Sequence, residues 1–201
     1  MSTESRPTTK AAQSEATRAK LLAAARGLFG ARGYADVGTE EVVRTAGVTR
    51  GALYHQFADK RSLFEAVFEQ IEEEIIEVAA GRMAEHPHDM LAAFRAACRG
   101  WLEICRDPEV ERIVLIDAPA VLGWETWREI GERYGLGAVI ATLEAGMEVG
   151  ALARQPVRPL AHVIVGALDE AALYVARAED RDVAMKEAEA VIDRLIGSLA
   201  A

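Results

Sequence analysis

The sequence predicts an all-α protein, a small helical head on a larger helical body, and three observations predict it. No segment sustains the period-two alternation of a half-buried strand, whereas apolar residues recur at helical spacing along most of the chain. Gly, Pro and short polar side chains fall where such helices would start and stop. Charge divides the chain: of 201 residues with a net charge of −9, residues 1–61 hold ten Lys and Arg against six Asp and Glu, a net +4, and residues 62–201 hold thirteen against twenty-six, a net −13. A basic head on an acidic body points that head towards phosphates.

Composition sets the class. The chain is 51% hydrophobic and 27% charged, the range of a soluble globular protein. Uninterrupted apolar runs fall short of the ~20 residues that cross a bilayer, so no membrane association is expected. The opening MSTESRPTTKAAQSEA has no apolar signal core, and export is not expected. The two cysteines, Cys98 and Cys105, would sit about 10 Å apart along one helix, too far for a disulfide. A reducing, cytoplasmic setting fits.

Residues 1–13 are polar and mixed and read as a flexible arm. Ser14 caps a first helix over 15–32, with Leu21, Leu22, Ala25, Leu28 and Phe29 on its inner stripe and Gly33 at its end. Thr39 caps a second over 40–46, where Glu40 and Glu41 suit the helix dipole, and Gly47 ends it. A third spans 50–56. Asp59 caps a long fourth, 60–84, with Leu63, Phe64, Val67, Phe68, Ile71 and Ile75 facing inward; Glu69, Glu72, Glu73, Glu74 and Glu77 read as its solvated face. A fifth helix follows over 89–106, broken by Asp107-Pro108, and a sixth over 109–118. Helix continues between Gly123 and Gly150 with a candidate break at Gly135-Leu136-Gly137. Pro156 and Pro159 open a long helix to 178, and a last one covers 181–200. The boundary between head (14–61) and body (62–201) falls at the start of the fourth helix, so the two share a rigid element.

The stretch AGVTRGALYHQF, 46–57, carries the head's chemistry. Two short helices joined by a tight glycine turn make a helix-turn-helix, whose second helix enters a major groove. Val42, Val43, Ala46, Val48, Leu53 and Phe57 would lock the pair to the first helix, leaving Thr49, Arg50, Gly51, Tyr54 and His55 outward. Arg50 can pair with guanine or phosphate, Tyr54 and His55 can reach phosphate oxygens, and Gly51 lets the backbone come close. Lys60 adds a cation beside the exposed amides that open the fourth helix.

The run TEEVVRTAGVTRGALYHQFADKRSLFEAV, 39–67, resembles the DNA-binding domain of TetR-type transcriptional regulators. Thr39, Ala46-Gly47-Val48, Gly51, Leu53-Tyr54, Phe57, Lys60 and Leu63 match the family's pattern, Leu28-Phe29 and Gly33-Tyr34 fit its first helix, and the likeness covers about 14–67; Gln56 stands where histidine is frequent. The resemblance implies that Thr39, Tyr54 and Lys60 contact phosphates and that Arg50 and His55 sit where bases are read. It also implies a helical regulatory body that binds a small-molecule effector and dimerises, and hence a repressor released from palindromic operator DNA. The stretches 115–130 and 158–176 resemble C-terminal regions of such regulators more weakly.

Within the body, Phe94, Cys98, Trp101, Asp117, Trp124, Trp127, Met147 and His162 are the candidate ligand-binding residues, with Met90 and Tyr134 beside them. An apolar cavity with a few polar groups is the usual form of such a site, though aromatic stripes are also plain core. Asp117 would need a partner if buried, or it is a helix-end carboxylate in solvent. Leu160, Ile164, Ala167, Leu168, Ala171 and Val175 on the penultimate helix, with Ala188, Val191, Ile192 and Leu195 on the last, form two stripes that suit a four-helix homodimer interface. Their alternative is intrachain core.

Other chemistry is weaker. His86 and His88 lack a supporting ligand for a metal, and Cys98 and Cys105 pack more readily than they sense oxidants, so a metal or redox sensor ranks second. No phosphate loop, nucleophile elbow or paired catalytic carboxylates support a helical-bundle enzyme, and no cofactor is expected.

Overall fold

The computed structural model describes residues 9–201. Nine helical runs lie among them: α1 Thr9–Arg32, α2 Thr39–Ala46, α3 Arg50–Gln56, α4 Lys60–Ala84, α5 Met90–Ile104, α6 (108–122), α7 (124–148), α8 Val157–Arg177 and α9 Arg181–Gly197. The only β pairing among the described residues is an isolated bridge between Leu152 and Ala200, which ties the C-terminal end to the loop before α8. Of the arm expected over 1–13, residues 1–8 lie outside the described residues, and 9–13 are already helical. Ala11, Ala12 and Gln13 are good helix formers, and Ser14 is no cap but lies inside α1.

The head is a compact three-helix unit. Leu21, Ala25 and Phe29 of α1 meet Val42 of α2, Leu53 of α3 and Phe57, all buried. Each large side chain removed from water in this way stabilises the fold by about 1.5–3 kcal/mol. Gly38, not Thr39, is the N-cap of α2, and Thr39 occupies the first helical position. Gly47 closes α2 in the left-handed region, with φ 64° and ψ 34°, where a Cβ would be strained. Gln56 at the end of α3 donates to the Ser14 carbonyl (3.2 Å) and hydroxyl (2.7 Å), stapling α3 to α1.

Helix α4 belongs to both parts. Asp59 and Ser62 form a reciprocal capping box at its start. Leu63, Phe64, Val67, Phe68, Ile71 and Ile75 are buried as their spacing predicts. Glu72 departs from that reading: it is 8% exposed, not on the solvated face. Its neighbours one turn away are Phe68, Ile75 and Ile76, so it shares their inward stripe.

Helix α6 joins head to body. It starts at Pro108 under an Asp107 cap and widens to π-helical winding over Glu111–Asp117. Arg26 of α1 donates to Glu109 (2.5 Å) and to Glu74 of α4 (2.5 Å). The Tyr34 amide donates to the Asp117 carboxylate (2.7 Å), and Arg61 donates to the Val121 (3.3 Å) and Leu122 (2.8 Å) carbonyls. Gly30 lets the backbones close up: a Cβ there would stand 2.5 Å from Glu109 Cγ.

The candidate break at Gly135-Leu136-Gly137 is not a break. Helix α7 passes through it with a π-helical stretch, Glu132–Leu136, and Gly137 keeps ordinary helical dihedrals of −59° and −44°. Buried Ile130, Leu136 and Leu143 anchor the helix on both sides of this stretch.

The two apolar stripes of α8 and α9 turn largely inward. Ile164, Leu168, Val175, Ala188 and Ile192 are buried within the chain itself, so they form intrachain core rather than a free interface. Periodicity marked the stripe but not its partner. The outward apolar residues are Val163 (60% exposed), Tyr174 and Val191 (63%), with Val183 beside them. Leu160, Ala167, Ala171 and Leu195 are partly buried. Helix α8 is also long and apolar enough to cross a membrane by length and composition, contrary to the reading of uninterrupted runs. Here it packs against α9, α7 and α5.

Candidate functional site

The outer face of α3 gathers the head's polar side chains. The Thr49 hydroxyl caps α3 by accepting from the Ala52 amide (3.2 Å), which fixes where the helix starts. Arg50, Gly51, Tyr54 and His55 are exposed. The Arg50 guanidinium lies 5.6 Å from the Tyr54 ring centroid and 3.5 Å from a Glu40 carboxylate oxygen. Thr39 and then Arg50 lower the pKa of the Tyr54 hydroxyl, so α2 and α3 converge on that oxygen. The Lys60 ammonium sits 4.0 Å from the Tyr34 ring centroid, and burial lowers its pKa against the pull of Asp36 and Asp117. It is held at the junction of α4 with the head, not extended into solvent. Together Arg50, Gly51, Tyr54 and His55 present one guanidinium, one phenol hydroxyl, one imidazole and a close-approach glycine on the exposed face of α3, with the Thr39 and Thr49 hydroxyls beside them. That face can hydrogen-bond phosphate oxygens and base edges.

In the body, α4, α5, α6, α7 and α8 line a partly open cavity of about 160 Å³. Phe94, Cys98, Trp101, Trp127 and His162 line it. Three other candidates do not. The Asp117 carboxylate is spent on the Tyr34 amide at the head junction. Trp124 is 64% exposed and packs tilted against Trp127, with centroids 5.0 Å apart. Met147 is core. Each lay on or beside an apolar stripe, but the turn of its helix points it elsewhere.

Two carboxylates on the cavity wall escaped the sequence reading, Glu72 of α4 and Asp169 of α8. Burial, then repulsion from Asp169, pushes Glu72 up to about 7. Burial pushes Asp169 up to about 6, with Arg128 opposing. Their signal was an acid within an apolar stripe: Phe68, Ile75 and Ile76 flank Glu72, and Val165 and Ala172 flank Asp169, at three- and four-residue spacing. Arg128 also borders the cavity; it lies 3.7 Å from Glu132 and 3.4 Å from His162 Nδ1. Burial pushes the Cys98 thiol up to about 12 and Cys105 well above its ordinary value, which makes both poor thiolates at neutral pH. His86 and His88 lie exposed between α4 and α5, and no group of three His, Cys, Asp or Glu that could hold a metal occurs among the described residues.

Comparison with known proteins agrees with this geometry. Residues 21–67 match the family described as bacterial regulatory proteins, tetR family, and residues 91–199 match the tetracyclin repressor-like C-terminal domain. The HTH-type transcriptional regulator AcrR of Shigella flexneri is 34% identical over 103 residues, 51% of this chain and 48% of that protein. The chain thus spans about half the length, or less, of several curated relatives it matches. A TetR-family transcriptional regulator from Pectobacterium atrosepticum is 36% identical, covers 97% of this chain and 98% of its own, and superposes with a TM-score of 0.81. RolR in complex with its ligand resorcinol shares the fold at a TM-score of 0.71, with 22% identity over 93% of this chain and 90% of its own. A family match across more than half of the chain, a head built to meet nucleic acid and a helical body around a cavity lead to one conclusion: this chain belongs to the TetR family of helix-turn-helix transcriptional regulators.

Proposed function

We propose that this protein is a cytoplasmic, homodimeric repressor, released from a palindromic operator by a small molecule that enters the body cavity. The observation that carries the reading is the run of α4. Its first residue, Lys60, stands beside the reading helix, and Glu72, Ile76, Ala79 and Met83 further along it line the cavity. A helix of its length spans ~37 Å, so a shift at the cavity is delivered to the head without unfolding anything between. Thr39, Thr49, Tyr54 and Lys60 would hold the backbone, and Arg50 and His55, with Gly51 between them in space, would meet base edges. The ligand acts by favouring the state that cannot bind DNA; a hundredfold preference supplies about 2.7 kcal/mol per site.

Dimerisation is supported by the outward residues of α8 and α9. Val163, Ala167 and Tyr174 form one row, Val183, Glu187 and Val191 another, and the Tyr174 hydroxyl donates to Glu187 across them (2.8 Å). Two copies joined on this face give the two heads that a palindrome needs. The test is to sequence the genomic DNA that the purified protein retains. The reading expects one enriched pseudo-palindrome with half-sites ~34 Å apart, bound less tightly as salt rises. Retention of DNA with no shared motif would count against it.

A further inference from the structure

We propose that the cavity binds a small monocationic amine, a single ring or short alkyl chain whose ammonium group is received by Glu72 and Asp169. The inference rests on the reading of this cavity as the effector site. Three observations carry it. Glu72 is more than nine-tenths buried and borders the cavity, and among the described residues no hydrogen-bond donor acts on its carboxylate or on that of Asp169. Buried carboxyl groups without donors are costly, and a ligand that brings N–H donors and positive charge removes the cost. The wall around them is apolar and aromatic, with Phe94, Trp101, Trp127 and Leu168, which suits a hydrocarbon body and offers indole faces to a cation. The volume, about 160 Å³, is close to that of a cavity that takes one benzene ring.

The charge balance of the cavity favours a cation. Arg128 of α7 faces Asp169, but its guanidinium is shared with Glu132 (3.7 Å) and lies 5.7 Å from the ring of exposed Trp124. His162 of α8 lies against the same Arg128 and Glu132 pair. From α5 comes only Cys98, and from the residue just past its end Cys105, whose thiols burial keeps protonated. Glu111 of α6 acts on Cys105 from the far side and is paired with Arg181 (2.8 Å). With Arg128 and Glu132 cancelling, Glu72 and Asp169 leave the interior negative whenever they are ionised. An ammonium ion favours the ionised form, so binding near pH 6.5 releases protons that the empty cavity holds.

Benzylammonium, 2-phenylethylammonium and hexylammonium are suitable probes, with benzyl alcohol as the neutral control and benzoate as the anionic one. Calorimetric titration of the full-length protein at pH 6.5, in buffers of different ionisation enthalpy, reads affinity and proton exchange together. The expected result is at least one ammonium probe bound tenfold or more tightly than benzyl alcohol, with net proton release and with affinity rising from pH 5.5 to 8. In Glu72→Gln and Asp169→Asn the ammonium preference and the proton release should fall while benzyl alcohol still binds, which shows the cavity intact. Equal or tighter binding of benzyl alcohol, retention of the preference in both variants, or no binding by all three ammonium probes at millimolar concentration overturns the proposal. The effector reading fails separately: proton-linked ammonium binding that leaves DNA affinity unchanged supports the charge inference and removes the cavity's role in DNA release.

Discussion

Glu72 sets a pH dependence on its own. Burial holds its carboxyl at about 7, above the ordinary value of 4.5, so the empty protein favours the protonated form. The stability this confers is present below the unfolded pKa and is lost as pH rises from about 4.5 through 7, with Asp169 adding in the same direction up to about 6. The shift of Glu72 corresponds to a penalty of order 3 kcal/mol at pH 8. Glu72→Gln should therefore raise the unfolding free energy at pH 8 by up to that amount and leave it nearly unchanged at pH 4.5, as read by urea denaturation. At the DNA face, Arg50→Ala should cost roughly 1–3 kcal/mol and relax preference at one base pair, whereas Tyr54→Phe should weaken all sequences alike. Binding isotherms on operator and scrambled duplexes separate the two outcomes.

At the scale of elements, α6 is the strap between head and body. Asp117 was expected among the ligand residues, and its carboxylate instead holds the Tyr34 amide just past the end of α1. Asp117→Ala should leave cavity affinity unaltered, cost roughly 1–3 kcal/mol of stability, and weaken the coupling between ligand and DNA. Comparing ligand affinity with and without operator, in the wild type and the variant, measures that coupling. Much of the head was legible because its signals are local: the Gly47 turn, the Asp59 cap and the spacing of Leu53 and Phe57 each act within a few residues. The body was less legible for a physical reason. Periodicity shows that Leu168 or Ile192 lies on an apolar stripe, but their own chain covers them, and only tertiary packing decides that. The same holds for Glu72, whose local neighbours Glu73 and Glu74 suggest solvent while its neighbours one turn away are apolar. The helical passage through Gly135 and Gly137 was hidden because glycine reads as a breaker unless flanking side chains hold the helix together.

For the whole molecule, assembly and signalling are one question. A charge at Leu168 or Ile192 would unfold the protomer, so the assembly test belongs to the outward residues: Val163→Asp or Val191→Asp should give folded monomers by light scattering and circular dichroism, with operator affinity lost. The central claim is that filling the cavity changes the spacing of two recognition helices through α4. It is tested most directly by pulsed electron–electron resonance on the proposed dimer with a spin label at Ala23→Cys, an exposed position of α1 outside the α3 face that moves with the three-helix head, where the buried, protonated Cys98 and Cys105 resist labelling. The account predicts one narrow distance distribution on operator DNA and a shift of several ångström when a ligand that quenches Trp101 and Trp127 saturates the cavity. The same ligand releasing DNA while the distribution stays where the operator put it would contradict the account.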